Sequence, residues 1–366
     1  MSLSGARTLD GAIQTHDNGF NLVRLTAAVL VVWYHAYQLN TAGAITLDPI
    51  SRLVAPLTNL GSIAVSVFFM VSGLFVAQSW LRDPNLMRFT LRRIARIVPG
   101  LFICLMLTTL IAVSAFSEPG WRGLLAPAPW QYIASNTFLH GLRYLIPPEN
   151  LMVSGVLNGQ AFNGPLWTLY WEARMYIVLA LIGYSAILPM RDWIRGTALF
   201  LLLAANLIPQ VLVGYIWEVQ LWSMFLVGVL LKTFATHVRI GPMQVACAAT
   251  LIALNWTRSL ATSPSGFTWF GIALAGCALA LWVGTAHTKG CSHLQRHDYS
   301  LGIYIYHWPI LLMLRATLPP LDGPSLFAAA MVVVVPISMF SWHLIEAPAL
   351  RFSRARLRVS APVTDA

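Results

Sequence analysis

Ten runs of about 17–25 mostly apolar residues recur along this 366-residue chain, near 21–40, 58–81, 97–116, 165–188, 196–215, 217–234, 242–258, 268–286, 299–317 and 325–346. A helix needs about that length to cross a hydrocarbon core roughly 30 Å thick. In lipid, every backbone N–H and C=O must be satisfied inside its own segment, so such runs predict α-helices. Composition agrees: hydrophobic residues make up 57% and charged residues 10% of the chain. An ordinary soluble domain has roughly 45–50% and about 25%. The mean hydropathy of +0.68 points the same way. The expectation is an all-α, polytopic membrane helix bundle of about ten transmembrane helices over 21–346. It is flanked by a cytoplasmic N-terminal segment, 1–20, and a basic cytoplasmic tail, 347–366, that anchors at inner headgroups. No separate soluble domain is expected.

A net charge of +10 raises nucleic acid as a partner, and the placement of the basic residues argues against it. They flank apolar runs instead of forming one basic face. With the N-terminus inside, sixteen of the 23 Lys and Arg fall in inner segments and five in outer loops, while Arg24 and Arg174 lie within helices. Translocation disfavours cations in the loops that cross, so this asymmetry predicts that both termini are cytoplasmic. The first twenty residues carry Asp10 and Asp17 and lack the apolar core of a signal peptide, so the first run is expected to be retained. Cys104, Cys247, Cys277 and Cys291 form no CxxC pair, and no disulfide framework is expected. One long outer connection, about 117–164, reads either as a cap over an outward-facing acceptor site or as a loop packed on helix ends.

Inside the apolar runs, polar groups are few. "NLVRLTAAVLVVWYHAYQL" carries Arg24 and His35 eleven positions apart. On a helix that spacing is about 20° beyond three full turns, with a rise of roughly 16 Å, so both side chains point the same way. Arg24 can snorkel to inner headgroups or hold an anion. His35 lies beyond the midplane, where an ionisable group marks a site; it can bond a neighbouring helix or act as a general base. Glu172 lies in "NGPLWTLYWEARMYIVLAL" and needs a cation or a wet cavity, with Arg24, Arg96 and His35 all open as partners. His307 sits in "YSLGIYIYHWPILLML", with Tyr304 and Tyr306 beside it, and these three either line a cavity or pack. Ser72-Gly73 in "SVFFMVSGLFVAQSW" permits close helix approach or thins a channel wall. Arg92, Arg93 and Arg96 reflect topology or capture phosphate. His287, Cys291, His293 and His297 match no strong zinc spacing, and no metal site is expected.

Taken together, Arg24 and His35 with ten residues between them, "VFFMVSGLF", "RRIARIVP", "GPLWTLYWEARMY", "SLGIYIYHWPI" and "HLIEAPAL" resemble the acyltransferase-3 family of integral membrane acyltransferases. The motifs occur in the family's order from about residue 20 to 350. The resemblance implies an acyl-CoA donor, usually acetyl-CoA, taken from the cytoplasm. It implies transfer to a hydroxyl of a carbohydrate such as exopolysaccharide, O-antigen or a lipid-linked oligosaccharide. By the same resemblance His35 is the essential histidine, Arg24 its paired arginine, Ser72 and Gly73 the small pair of the FFxxSGF motif, Arg93 and Arg96 the RxxR pair, and Glu172 the glutamate of the WSLxxE motif. Two departures stand out: Ala173 replaces a second glutamate found in many members, and Ser66 stands near a position where many have an acid. The chain ends twenty residues past Glu346, so the esterase-like domain that some members append is not expected.

The implied chemistry places donor phosphates on Arg24, Arg93 and Arg96, the donor against Ser72 and Gly73, the thioester near His35 as general base or acyl-accepting nucleophile, and Glu172 behind His35. Tyr304, Tyr306 and His307 would contact the acceptor. Such a protein would sit in a bacterial inner membrane, with lipids and a glycan acceptor as partners, alone, as a homo-oligomer or in a polysaccharide-assembly complex. Buried Arg, His and Glu also suit a proton-coupled transporter of an anion, although no internal pseudo-symmetry supports one. A non-catalytic scaffold leaves Arg24 and His35 unexplained.

Overall fold

The computed structural model describes residues 7–15, 17–39, 47–54, 58–117, 119–139, 162–184, 190–213, 216–259, 266–286 and 297–359. Among them there is no strand, and helices carry most of these residues. In order they are α1 (Leu9–Ile13), α2 (Phe20–Gln38), α3 (Pro49–Val54), α4 (Leu60–Arg82), α5 (Leu86–Phe116), α6 (Pro127–Thr137) and α7 (Leu166–Tyr184). There follow α8 (Asp192–Val213), α9 (Trp217–Thr233), α10 (Pro242–Ser259), α11 (Gly266–Thr285), α12 (Ser300–Thr317), α13 (Gly323–Ser341) and α14 (Ala347–Val359). Among the described residues, three helical stretches, Leu60–Arg82, Leu86–Phe116 and Gly323–Arg356, are long and apolar enough to cross a membrane.

Each apolar run forms a helix, and the differences are local. α5 starts at Leu86, not near 97, because Asn85 caps it by accepting from the Arg88 N–H and the arginine-rich turns continue the helix. Arg92, Arg93 and Arg96 therefore lie on the helix instead of before it. The outer connection is partly folded: a 3-10 turn spans Gly120–Leu125 and α6 follows, with Tyr132 and Asn136 fully buried. Residues 140–161 of that connection lie outside the described residues. The N-terminal segment is docked in place. Leu9 and Ala12 are fully buried, the Leu9 N–H donates to the Val238 carbonyl, and Lys232 pairs with Asp10 at 2.7 Å.

The chain divides into two compact units, the first made of Met1–Tyr34, Leu47–Pro84 and Met175–Ser300, the second of His35–Thr46, Asn85–Arg174 and Leu301–Ala366. In the first, α4 crosses α9 with the two backbones almost touching. A Cβ on Gly73 would stand 2.1 Å from the Phe225 carbonyl oxygen, and one on Gly228 would stand 2.1 Å from that of Met70. This reciprocal pair makes Gly73 a point of close helix crossing. Gln220 donates to the Ser66 hydroxyl at 3.2 Å beside it, so the serine at the departure position is part of the same crossing. In the second unit, α12 carries fully buried Ile305, His307 and Leu311, and α5 supplies Leu101, Cys104 and Leu105. A Cβ on Gly302 would lie 2.9 Å from Ser338, so α13 also approaches closely.

Gly73→Val and Gly228→Val each force backbone apart, and each should cost at least the roughly 1–3 kcal/mol of overpacking. Gly276→Ala, which meets only a side-chain methyl of Ile63 at 2.7 Å, should cost less. Thermal midpoints of the purified variants in detergent check the order; equal midpoints for Gly73→Val and the native chain would contradict the crossing.

Candidate active site

A proline in α12 shapes the site. Pro309 has no N–H, so the carbonyl of Ile305, four residues back, loses its helical partner. That carbonyl is taken up from outside the helix, by Asn163 Nδ2 at 3.1 Å and by the Cys104 thiol at 3.3 Å. Asn163 begins the turn Asn163-Gly164-Pro165 that leads into α7. One turn into α7, Thr168 donates to the Pro165 carbonyl at 2.9 Å and lies 2.6 Å from the Tyr304 hydroxyl. The segments "NGPLWT" and "YIYHWP" thus interlock through groups that the proline and the turn leave without helical partners.

This frame holds His35 and His307. Within the second unit, His35 Nδ1 lies 2.8 Å from His307 Nε2. The ring centroids are 5.1 Å apart and the planes differ by 5°. The centroid distance is the N–N distance plus two ring radii, so the rings meet head-on and nearly coplanar, as a hydrogen bond requires, and not face to face. On its other side, His307 Nδ1 lies 2.6 Å from the Tyr304 carbonyl oxygen. Trp308 meets the His35 ring edge-on, at 4.7 Å and 90°. Its indole occupies the space a Cβ on Gly164 would need, 3.2 Å from the nearest ring atom. His307 is fully buried.

Glu172 sits one turn beyond Thr168 on the same face of α7, within electrostatic reach of the Tyr304 hydroxyl. Two residues on, the Arg174 guanidinium lies 3.3 Å over the Tyr170 ring. Tyr304 is 7% exposed, and its hydroxyl is engaged by Thr168 and Pro165. Tyr306 is buried and bonded to Ser341. On α5, Arg93 stands 5.7 Å over Phe89 and Arg96 stands 5.8 Å over Trp342. All of these belong to the unit that contains His35.

Arg24, Ser72 and Gly73 belong to the other unit. α2 is unbroken from Phe20 to Gln38, so Arg24 and His35 do share one helix. Arg24 Nη1 pairs with Asp298 Oδ2 at 2.6 Å, with Asp298 mostly buried. Asp298 Oδ1 accepts from the Ser300 N–H and hydroxyl, so one carboxylate caps α12 and orients the arginine. Ser72 lies 3.1 Å from the Tyr176 hydroxyl. Sequence reasoning missed Asp298, although Asp-Tyr-Ser before an apolar run is an N-cap signature. It also missed Thr168, Asn163 and Trp308, whose roles follow from tertiary placement. Of the four candidate zinc ligands, His287, Cys291 and His293 lie outside the described residues, and His297 stacks on Tyr299 at 5.9 Å.

Comparison with known proteins adds an independent finding. An acyltransferase domain model matches residues 17–343, which include both histidines. The chain is 27% identical to Nodulation protein 10 of Rhizobium leguminosarum bv. viciae, over 92% of its own length and 94% of that protein. It is 25% identical to the O-acetyl transferase of Shigella phage Sf6, over 93% and 98%. A shorter match, 31% identical over 34% of this chain and 29% of the relative, is to the acyltransferase MdmB of Streptomyces mycarofaciens. No solved structure matches the chain.

The double duty of Asp298 is separable. Asp298→Ala removes the cap and should cost about 0.5–2 kcal/mol in thermal stability. Asp298→Asn keeps a good capping group and should stay near native, while loosening Arg24. Midpoints that fall equally for both variants would show that the ion pair, not the cap, carries the stability.

Proposed function

Because the chain belongs to the acyltransferase family, we propose that it is a membrane-embedded O-acyltransferase that moves an acyl group, acetyl first among them, from cytoplasmic acyl-CoA to a carbohydrate hydroxyl. The reading is supported by the near end-to-end likeness to a relative named as an O-acetyl transferase. His35 is the proposed catalytic residue. It takes the proton from the acceptor O–H as the oxygen attacks the thioester carbonyl carbon. The C–S bond breaks, and the departing thiolate takes the proton back from His35, leaving free CoA and an ester. A general base of this kind contributes about 10²–10⁴-fold.

Arg24, with Arg93 and Arg96 on α5, supplies cations for donor phosphates, and Arg suits that task through its fork of donors. Asp298 keeps Arg24 extended until an anion competes for it. Glu172 adds negative charge beside the Tyr304–Thr168 pair and supports the face of α7 nearest that frame. In this proposal all ten apolar helices span a bacterial inner membrane with both termini cytoplasmic, so the donor enters from inside. The acceptor is a glycan or a lipid-linked oligosaccharide, presented to His35 from within the bundle or its outer side.

Purified protein in lipid, given acetyl-CoA and polysaccharide extracted from the source cells, tests the reading. Acceptor-dependent CoA release is expected, falling by about 10²-fold or more in folded His35→Ala. Equal release by native and variant would remove His35 from the chemistry. Absence of acceptor-dependent release, with uptake of an anion against a proton gradient instead, would replace the enzyme with a transporter.

A further inference from the structure

We propose that His307 is a positioning residue that fixes His35 in one tautomer, with the proton on Nδ1 facing His307 and the lone pair on Nε2 serving the acceptor hydroxyl. The inference rests on His35 being the base, as proposed above, and it departs from the expectation that His307 contacts the acceptor.

The series starts at a backbone oxygen. A carbonyl can only accept, so the 2.6 Å contact between His307 Nδ1 and the Tyr304 carbonyl places a proton on His307 Nδ1. A neutral imidazole carries one N–H, so His307 Nε2 is then an acceptor. His35 Nδ1, 2.8 Å away and in the plane of that lone pair, must be the donor. By the same rule the unprotonated nitrogen of neutral His35 is Nε2. A main-chain atom thus sets the protonation of two side chains in series, and the tautomer is fixed by backbone geometry.

Three features keep the series in place. Full burial of His307 excludes water that would compete for its nitrogens. Trp308, packed edge-on against His35 and seated over Gly164, opposes rotation of the His35 ring. The Tyr304 hydroxyl, held by Thr168, anchors the residue whose carbonyl begins the series. During transfer, His35 Nε2 takes the acceptor proton while Nδ1–H stays bonded to His307, which stabilises the transient imidazolium without being protonated itself. The proton returns from Nε2 to the CoA thiolate, and both rings end as they began. The role parallels that of a triad carboxylate, which also holds a histidine tautomer, but here the partner is neutral.

The test compares His307→Phe with His307→Gln in lipid. Gln can accept from His35 Nδ1–H and donate to the Tyr304 carbonyl; Phe keeps the ring shape and does neither. His307→Phe should lose kcat by about 10²-fold or more, while KM for acetyl-CoA stays within roughly threefold. His307→Gln should recover to within about tenfold of native kcat. Equal losses in both variants with matched thermal midpoints, or a rise in acceptor KM with kcat unchanged, would overturn the positioning role and restore acceptor contact. A second arm needs no turnover. ¹⁵N NMR of selectively labelled protein in lipid should show a protonated Nδ1 and an unprotonated Nε2 on native His35, with a mixture of tautomers in His307→Phe. An Nε2-protonated His35 in native protein would overturn the proposal even if the enzyme is active. Native protein with the expected tautomer and no transfer would leave the geometry standing and remove the reading of the function.

Discussion

The hydrogen bond that His307 Nδ1–H donates to the Tyr304 carbonyl is the contact on which the rest of the site depends. A peptide oxygen within a helix cannot change its protonation, so it serves as a fixed reference for every titratable group linked to it. His307 passes that reference to His35 across 2.8 Å. A carboxylate in the same place would also orient His35, but burying its charge among apolar helices would cost several kcal/mol. A neutral histidine does the same orienting with no charge to desolvate.

The frame around this contact is built from deliberate gaps in helical bonding. Pro309 releases the Ile305 carbonyl, and Asn163 and Cys104 fill the place of the missing N–H. Gly164 leaves room for the Trp308 indole, and Thr168 holds the Tyr304 hydroxyl. In the other unit, Gly73 and Gly228 bring α4 and α9 into backbone contact, where any larger side chain would meet main-chain atoms.

The helices were legible because apolar length is a property of each run taken alone. Even α9, joined to α8 by a tight connection, lies at Trp217–Thr233 where its run predicts it. What failed was the edge where hydropathy stops reporting: α5 extends back to Leu86 through arginines, and α6 forms within a stretch read as loop. Among site residues, the shared helix of Arg24 and His35 followed from spacing. The partners did not. Asp298 faces Arg24, and His307 faces His35, because of packing between helices distant in sequence, and no periodicity encodes that. Tyr304 shows the difference most plainly: spacing placed it beside His307, but that its carbonyl accepts from the His307 ring and its hydroxyl meets Thr168 follows from packing alone.

In the proposed reaction His35 moves a proton while the acyl group passes directly from sulfur to an acceptor oxygen. A single turnover with acetyl-CoA labelled in the carbonyl carbon, quenched over time and resolved by mass spectrometry, follows that carbon. Direct transfer puts label in an acceptor ester with none bound to protein at any time. Label accumulating on His35 before the ester appears would make the histidine a nucleophile and contradict it.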